Sequence, residues 1–241
     1  MIFQRLGINI GMDKVELLNK KTVLIIGIGG VGSYTCESLV RSGIGTLIII
    51  DHDKINYTNI NRQIIALHST IGENKVDVME QRILDINPHC CVIKFNNFFD
   101  SSLVNKVFTY NIDFVVDACD TIEAKYTIYE ECLKKDIPFI SAMGTGNKLD
   151  PTKFEISTLK NTSYDPLAKV LRKKVKDSNL NGIIPVVYSK EIPKKHDIIK
   201  LDGDINKERF LIGSNAFTPS VSGLLCTAFV INSLITGKYW L

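Results

Sequence analysis

A glycine-rich turn near the amino terminus constrains the fold of this chain more than any other feature. The segment TVLIIGIGGVG starts at Thr22 as an apolar, β-branched run and continues into the spacing GxGxxG, with glycines at Gly27, Gly29 and Gly32. In such a loop the first glycine permits a tight turn, the second lets the backbone approach a phosphate, and the third packs a helix against the strand. The N–H groups of the helix N-terminus would meet that phosphate. The sequence therefore predicts a nucleotide site, and it leaves open whether the nucleotide is a redox cofactor or a substrate.

Strand-like and helix-like segments alternate as far as Met143. Short runs rich in β-branched residues predict strands, and longer amphipathic segments predict helices. The predicted strands cover residues 22–26, 46–50, 92–95, 114–116 and 139–141, and the predicted helices cover 31–41, 73–86, 103–108 and 122–135. This alternation is typical of the α/β class, with a doubly wound, Rossmann-like, mainly parallel sheet that carries helices on both faces.

The pattern changes after Met143. Residues 153–159 and 184–189 alternate apolar and polar side chains in the manner of antiparallel strands. Residues 191–210 are charged and contain few apolar positions, which is typical of a loop. We therefore expect an extension with antiparallel strands after the parallel sheet.

A final helix is predicted over residues 221–235. Thr218 and Pro219 precede it and predict its N-cap and first turn. Gly237 follows it and predicts its end.

These segments predict a single domain that spans residues 1–241. A nucleotide-binding core covers 1–143, and a C-terminal part covers 144–241. We expect the second part to face the substrate.

Composition narrows the class of protein. With 241 residues and 45% hydrophobic content, the chain can bury a full core. Its longest apolar stretch, near residues 221–235, is interrupted by small and polar residues and predicts a core helix, not a membrane span. The six cysteines are scattered and form no CxxC pair. This usage favours a reduced, cytoplasmic protein with buried thiols and no zinc clamp.

Basic residues are concentrated towards the C-terminus. Residues 161–241 carry 12 Lys and Arg against 7 Asp and Glu, whereas residues 1–160 carry 17 against 19. The densest group occupies one helix-length segment and consists of Lys169, Arg172, Lys173, Lys174 and Lys176. A solvated helix face is the ordinary interpretation of such a run, and a polyanionic partner is the alternative. Charge alone does not choose between them.

Polar residues after the second predicted strand are candidates for chemistry on the nucleotide. Asp51 lies at the end of that strand, where an acid commonly receives ribose hydroxyls. Asn59 and Arg62 follow, and Lys75 lies near the start of the next helix. A hydride-transfer enzyme breaks no phosphoester, whereas transfer at phosphorus needs cations because charge develops on the phosphate oxygens. Taken singly, Arg62 would be a surface ion pair and Lys75 a solvated helix residue.

Two carboxylates, Asp117 and Asp120, lie at the end of the fourth predicted strand. Ligands bind at the carboxyl ends of strands in a doubly wound sheet, so both residues are candidates for holding magnesium or a nucleotide. Asp117 could instead be a buried acid that caps the next helix. We favour Asp120 as the metal ligand because it completes a set of polar residues.

Together, the glycine loop, Asp51, residues 59–63, Lys75 and residues 117–120 resemble the signature of the ubiquitin-activating-like family. That family includes the activators of thiamine and molybdopterin sulfur-carrier proteins. The resemblance implies the cofactors ATP and Mg²⁺ and the adenylation of a carboxylate. The carboxylate would attack the α-phosphorus, and pyrophosphate would leave.

The resemblance also implies a role for each matching residue. Gly30 and the other loop glycines would contact ATP, and Asp51 would contact the ribose. Arg62 and Lys75 would contact the phosphates, and Asp120 would bind the magnesium ion.

Three further assignments complete the implied site. Asn59 and Asp117 would help to bind the nucleotide. In this family an arginine near the N-terminus reaches into the ATP site of the partner subunit, and Arg5 is the candidate here. That role would require a homodimer.

Two departures from the general family pattern narrow the subfamily. The chain has neither the paired CxxC motifs of the sulfur-carrier activators nor an added domain with a thioester cysteine. Instead, four segments resemble the tRNA threonylcarbamoyladenosine dehydratase branch, namely residues 147–158, 166–175, 187–191 and 213–223. This resemblance covers nearly the whole chain. It implies that the partner is a tRNA that carries threonylcarbamoyladenosine beside the anticodon.

The reaction implied by this branch has two steps. ATP activates the threonine-derived carboxylate as an acyl-adenylate, and the neighbouring ureido nitrogen then closes on it and expels AMP. The net change is the loss of one water, and no enzyme nucleophile is needed. The basic helix would hold tRNA phosphates with little reading of sequence.

Other functions stay open at this stage. The nearest alternative is an adenylyltransferase that activates the C-terminus of a small sulfur-carrier protein. A more distant one is an NAD-dependent oxidoreductase, and a non-catalytic nucleotide-binding scaffold is a third. A sulfur-transfer or redox partner protein is also possible, but nothing in the sequence identifies it.

Overall fold

Seven strands form one sheet in the computed structural model, which describes residues 2–194 and 212–239. In chain order the strands are β1 Thr22–Ile26, β2 Thr46–Ile50, β3 Cys91–Phe95, β4 Phe114–Asp117, β5 Phe139–Ala142, β6 Phe154–Thr158 and β7 Pro185–Ser189. Their order across the sheet is β3-β2-β1-β4-β5-β7-β6. All neighbours pair in parallel except β6, which is antiparallel to β7. The predicted α/β class, the mainly parallel sheet and the antiparallel extension are therefore confirmed.

Helices cover both faces of this sheet. The eight α-helices are α1 Gln4–Ile10, α2 Met12–Leu18, α3 Gly32–Arg41, α4 Lys75–Ile86, α5 Ser101–Val107, α6 Ile122–Lys135, α7 Pro166–Asp177 and α8 Thr218–Thr236. Successive residues of a strand point to opposite faces of the sheet, so β1 contributes to two separate cores. Val23 and Ile25 join the core beneath α2, α3, α4 and α8. Leu24 and Ile26 join the opposite core, beneath α5, α6 and α7. The five inner strands β2, β1, β4, β5 and β7 are buried on both sides, as expected for a parallel sheet, whereas the edge strands β3 and β6 are partly exposed.

The structure differs from the sequence predictions at two places. Helices α1 and α2 were not predicted. Thr218 was predicted as the N-cap of the last helix, which is wrong. It is the first residue of α8, and Phe217 occupies the N-cap position. The side chain of Asn215 instead accepts hydrogen bonds from the N–H groups of Phe217 and Thr218. Most of the predicted loop 191–210 lies outside the described residues.

Helix α8 is long and apolar enough to cross a membrane by length and composition. In this fold it is a core helix, as predicted, because Cys226 and Phe229 are fully buried against the sheet. Gly223 allows α8 to approach α3 closely, since a Cβ atom there would lie 2.5 Å from the carbonyl oxygen of Val31. The hydroxyl of Thr35 donates a hydrogen bond to the Gly223 carbonyl across the same contact.

Helices α3 and α4 are joined by a buried carboxylate. Glu37 of α3 accepts hydrogen bonds from Arg41 Nε at 2.7 Å and from Arg82 Nε of α4 at 2.5 Å. Burial opposes ionisation of Glu37, but the hydrogen bonds and charges of Arg82 and Arg41 outweigh it and lower the Glu37 pKa. The ionised carboxylate therefore stabilises the folded state.

We expect Glu37→Gln to lower the free energy of unfolding by about 1–2 kcal/mol near pH 7, because one carboxylate oxygen becomes an amide NH₂ that cannot accept a hydrogen bond and the other loses its negative charge. The folded-state pKa lies below the unfolded value of about 4.3. The stabilisation is therefore present above that value and is lost as the pH falls through the folded-state pKa. Urea titrations of both proteins between about pH 3 and 7 measure this. A stability difference that stays constant over that range would contradict the prediction.

Candidate nucleotide-binding site

A cavity of about 890 Å³ opens at the carboxyl edge of the sheet. Strand register explains its position, because the ends of three strands align there, with Ile26 beside both Ile50 and Asp117. The loops that leave β1, β2, β4 and β5 all contribute lining residues. The order of these strands reverses at β1, and such a switch point is where doubly wound sheets bind ligands.

The glycine loop forms one wall of the cavity. Gly27 has a left-handed φ of +91°, and a Cβ there would lie 2.7 Å from the Ala118 carbonyl oxygen. A Cβ at Gly32 would lie 1.8 Å from the carbonyl oxygen of Gly27. These two glycines therefore close the turn and pack α3 against it. At Gly29 a Cβ would meet only Gln63 Nε2, at 3.9 Å, so this glycine leaves space on the cavity side.

Gly30 also lines the cavity, and it lies against the start of α8. A Cβ at Gly30 would be 3.1 Å from the Cβ of Pro219, which lines the cavity too. The last helix of the chain therefore supports the loop that the sequence singled out first.

Asp51 and Lys75 lie together beside the glycine loop. Asp51 Oδ2 accepts a hydrogen bond of 2.6 Å from the Ile28 N–H, and Oδ1 accepts one of 2.9 Å from the Asp53 N–H. Lys75 Nζ donates to Asp53 Oδ2 at 2.6 Å and lies 3.7 Å from Asp51 Oδ1. Each Asp51 oxygen keeps a further lone pair for a ligand hydroxyl.

Asp53 lines the cavity and was not predicted from the sequence. Burial opposes its ionisation, but the Lys75 hydrogen bond and charge outweigh this effect and lower its pKa. Its position two residues after Asp51, at the same strand end, was the available signal. Asp51, His52 and Asp53 lie close enough to share an ion. The Lys75 ammonium already supplies the positive charge at this point.

Asn59 and Arg62 also line the cavity, and Arg62 Cγ would lie 3.5 Å from a Cβ at Gly30. Asn59 is buried, and its Oδ1 accepts a hydrogen bond from the Asn56 N–H, so this side chain shapes the turn that carries Arg62. Arg62 Nη1 donates to the Thr58 carbonyl at 2.6 Å and to Asn61 Oδ1 at 3.1 Å. No carboxylate among the described residues pairs with this guanidinium, and its charge is available to an anion in the cavity.

The two carboxylates at the end of β4 have different surroundings. Asp120 is exposed and lines the cavity, and its nearest polar contact is the Thr121 hydroxyl at 3.5 Å. Asp117 is fully buried and is not among the lining residues. Its Oδ2 accepts hydrogen bonds from Lys125 Nζ at 2.9 Å and from the Ser141 hydroxyl at 2.5 Å. The structure therefore does not bring Asp117 to the predicted nucleotide site, and it supports the alternative of a buried structural acid.

A magnesium ion fits the free carboxylate of this pair. Mg²⁺ is usually bound by one or two carboxylates together with substrate phosphates and waters. Asp120 offers an uncommitted carboxylate in the cavity, whereas both oxygens of Asp117 accept hydrogen bonds from protein groups.

The cavity also contains a thiol, that of Cys119. The Cys119 S–H donates to Asp117 Oδ1 over 3.0 Å. Burial and the neighbouring Asp117 charge raise the pKa of this thiol well above its ordinary value. Cys119 is therefore a protonated, weakly reactive group.

Among the other polar residues that line the cavity, Lys148 and Asp165 were not predicted from the sequence, and Gln63 was predicted only as part of the segment 59–63. Gln63 is buried, and its Oε1 has no hydrogen-bond partner among the described residues. Lys148 Nζ lies 3.5 Å from Asp165 Oδ2, and both side chains are almost fully buried. Burial lowers the pKa of Lys148 despite the attraction of Asp165. Lys148 and Asp165 are separated in sequence and gave no local signal.

The predicted basic helix is α7, and it begins at the cavity. Its first residue, Pro166, lines the cavity, and the helix carries exposed Lys169, Lys173 and Lys176 at helical spacing on one face. We call these three residues the lysine row.

The other two predicted basic residues have protein partners. Arg172 Nη1 donates to the Thr162 carbonyl at 3.0 Å. Lys174 Nζ pairs with Glu123 at 2.7 Å and lies 4.9 Å from the centre of the Tyr126 ring. The structure therefore does not place Arg172 and Lys174 with the lysine row.

Arg5 lies on α1 and is exposed. It is not among the residues that line the cavity of its own chain. The structure therefore separates Arg5 from the other predicted site residues.

Comparison with known proteins identifies the family of this site. The ThiF family matches residues 3–236 of the chain. The chain belongs to the ThiF family. This match includes both the glycine loop and the C-terminal elements, so the resemblance predicted from the sequence is confirmed.

Two similar proteins, one from Bacillus subtilis and one from E. coli, match nearly the whole chain. The tRNA threonylcarbamoyladenosine dehydratase of Bacillus subtilis (strain 168) is 43% identical over 239 residues, which cover 97% of this chain and 94% of that protein. The crystal structure of the E. coli tRNA N6-threonylcarbamoyladenosine dehydratase, TcdA, matches with a TM-score of 0.88 and 28% identity, covering 98% of this chain and 95% of that one. A structure of TcdA in complex with ATP matches with a TM-score of 0.86 and 29% identity, covering 98% and 94%.

Two glycine substitutions separate the folding role of the ThiF-family loop from its binding role. We expect Gly32→Ala to lower the free energy of unfolding by more than about 2 kcal/mol, because its Cβ would overlap the Gly27 carbonyl oxygen. Gly29→Ala should fold normally, because its Cβ enters open space. That Cβ would occupy the cavity side of the loop and should weaken ATP binding about tenfold or more. Thermal melts and calorimetric titration with ATP measure the two effects. Unchanged ATP affinity in Gly29→Ala would contradict the binding role.

Proposed function

We propose that this protein is an ATP-dependent tRNA threonylcarbamoyladenosine dehydratase. It would close the threonylcarbamoyl group of a modified adenosine beside the anticodon into a ring, with the net loss of one water. The observation that carries this proposal is the 43% identity to the B. subtilis dehydratase over 97% of the chain. The cavity supports it, because the polar residues expected for phosphoryl chemistry converge there.

The first step is adenylation of the threonyl carboxylate. A carboxylate oxygen attacks the α-phosphorus of ATP, the bond to the β-phosphate oxygen breaks, and pyrophosphate leaves. The glycine loop would hold the phosphates through backbone N–H groups, as such loops do, and Asp51 would accept hydrogen bonds from the ribose. Arg62 has no carboxylate partner among the described residues and would offset the charge that develops on the phosphate oxygens. Lys75 would join it after leaving Asp53.

The second step is ring closure. The ureido nitrogen attacks the acyl carbon, a C–N bond forms, and the C–O bond to AMP breaks. The nitrogen loses its proton to solvent or a neighbouring base, and AMP leaves with the bonding electron pair. No enzyme nucleophile takes part, in keeping with the protonated state of Cys119.

Magnesium belongs to this proposal, with Asp120 as its protein ligand. The ion would neutralise phosphate charge when ATP is bound. Asp120 supports this assignment because its carboxylate faces the cavity without a close protein partner.

The lysine row is the proposed tRNA-binding surface. Lys169, Lys173 and Lys176 are exposed on α7, which starts at the cavity, so a bound anticodon loop could run along the helix. Arg172 and Lys174 contribute less to this surface in our proposal, because both are engaged by neighbouring groups.

A homodimer and a cytoplasmic location complete the proposal. Arg5 is exposed and lies outside the cavity of its own chain, so it could act on ATP only in a second copy. The cytoplasmic location follows from the tRNA substrate. A sulfur-transfer or redox partner is not needed for either chemical step.

Asp120→Asn tests the reaction and the metal assignment together. We expect the wild-type protein, given ATP, Mg²⁺ and tRNA with threonylcarbamoyladenosine, to yield a nucleoside lighter by one water in mass analysis. The activity of the Asp120→Asn protein should be about 100-fold or more lower. A neutral amide would hold the magnesium ion weakly, and the ion would then no longer neutralise the phosphate charge. The thermal melt of this variant should match the wild type, since Asp120 has no close partner.

Asp136→Asn is the matched control. It makes the same chemical change at an exposed, left-handed position outside the cavity, where asparagine is tolerated. Full activity of Asp120→Asn would refute the metal assignment. Dependence of AMP release on a protein with a C-terminal Gly-Gly, and not on tRNA, would instead establish a sulfur-carrier activator.

Charge reversal tests the lysine row. The double variant Lys169→Glu with Lys173→Glu should bind tRNA about tenfold or more weakly, and the salt dependence of binding should become shallower, because phosphate contacts are lost. The control, Lys134→Glu with Lys135→Glu, makes the same change of net charge at the far end of α6, outside the cavity. Filter binding at several salt concentrations measures both. Equal tRNA affinities of the two variants would show that the lysine row is an ordinary solvated helix face.

A further inference from the structure

Tyr164 has a backbone conformation that is unusual for its residue type. Four non-glycine residues in the described part of the chain have a left-handed φ, namely Asp136, Asn147, Tyr164 and Asn179. Asparagine and aspartate tolerate this conformation because their short polar side chains bond locally, whereas a bulky residue rarely adopts it. The φ of Tyr164 is 53°. Local backbone preference therefore does not explain the tyrosine at this position.

The side chain of Tyr164 is free, although the backbone around it is held. The residue is 60% exposed, and the ring makes no hydrogen bond or ring contact within the described residues. On one side, Thr162 is buried, and its carbonyl accepts a hydrogen bond from Arg172. On the other side, Asp165 is buried and caps α7 through a hydrogen bond of 2.9 Å from the Ala168 N–H. Tyr164 is thus an exposed aromatic ring on a fixed support.

The location of Tyr164 connects two parts of the proposed tRNA site. The three residues that follow it, Asp165, Pro166 and Leu167, line the cavity. The lysine row begins one helical turn further on, with Lys169. Tyr164 therefore directly precedes the cavity lining in the chain, and a polyanion that followed the lysine row to Asp165 would come close to it.

We propose that Tyr164 is a stacking platform for an unpaired nucleobase next to the modified adenosine. Proteins bind single-stranded RNA loops by stacking splayed bases on aromatic side chains, while cations hold the phosphates. A ring with a fixed backbone loses little conformational freedom on binding. The target adenosine must leave its neighbours to enter the cavity, and a ring at the rim replaces the lost stacking on one side. This inference rests on the proposed function, because it takes the modified tRNA as the ligand.

Three proteins test the stacking role: the wild type, Tyr164→Phe and Tyr164→Gly. Phenylalanine keeps the ring and removes the hydroxyl. Glycine removes the ring and relieves the left-handed backbone, so Tyr164→Gly should melt at or above the wild-type temperature. We expect Tyr164→Gly to raise the KM for modified tRNA about 5- to 100-fold, which is the effect of losing one stacked base. Tyr164→Phe should stay within about threefold of the wild type, and ATP affinity should not change in either variant.

A fluorescent base gives a direct readout. The probe is an anticodon-loop tRNA with 2-aminopurine beside the modified adenosine, whose fluorescence reports on stacking. Its signal should shift on binding to the wild type and Tyr164→Phe, and not on binding to Tyr164→Gly. A Tyr164→Gly protein with the wild-type KM and fluorescence shift would overturn the inference, and so would a Tyr164→Phe protein as weak as Tyr164→Gly. If the wild type binds the tRNA without dehydrating it, the proposed function fails, and the fluorescence comparison still decides the role of Tyr164.

Discussion

The buried pair of Asp117 and Lys125 is the interaction on which the site depends most. Both side chains are fully buried, and their partners join β4, α6 and β5 through Ser141 and the Ala142 carbonyl. Burial opposes the charge of Lys125, but the charge and hydrogen bond of Asp117 outweigh it and raise the Lys125 pKa, so the lysine stays charged. Removing one partner of such a pair typically costs about 3–5 kcal/mol, because a charge is left buried and unpaired. The pair thereby fixes the strand end that presents Asp120 to the cavity.

Under the proposed function, the cavity would have a nucleotide side and a substrate side. Strand order places Asp51 and the glycine loop at β2 and β1, and Asp120 at β4. Lys148 follows β5, towards α7 and its lysines. A shared parallel sheet can align these groups because each strand contributes the loop at its carboxyl end. The C-terminal strands β7 and β6 continue the same sheet beyond β5, which holds the C-terminal part in register with the glycine loop.

Local sequence patterns predicted most of the sheet and the nucleotide side, and they failed where contacts join distant segments. The glycine loop and Asp120 could be singled out from the sequence because each follows shortly after the end of one predicted strand, β1 and β4 respectively. Asp117 is buried because it pairs with Lys125 on α6, eight residues later in the chain. No local pattern shows which of the two carboxylates, Asp117 or Asp120, turns inward. Helices α1 and α2 are short, with seven residues each, and their periodicity is weak. The basic segment was recognised as a helix-length run, but the engagement of Lys174 by Glu123 depends on how α6 packs against α7.

The protonated thiol of Cys119 has a consequence for the route of the intermediate. It is the one thiol among the described residues that line the cavity, and its proton is held by Asp117. An activated acyl group formed here would have no covalent carrier to move it elsewhere and would remain exposed to water until it reacts. Both halves of the reaction would therefore share one chamber, in which the acyl group, the nucleotide and the attacking nitrogen are present together. A cavity of about 890 Å³, towards the upper end of the usual range of about 300–1,000 Å³ for ligand pockets, suits a chamber with two occupants.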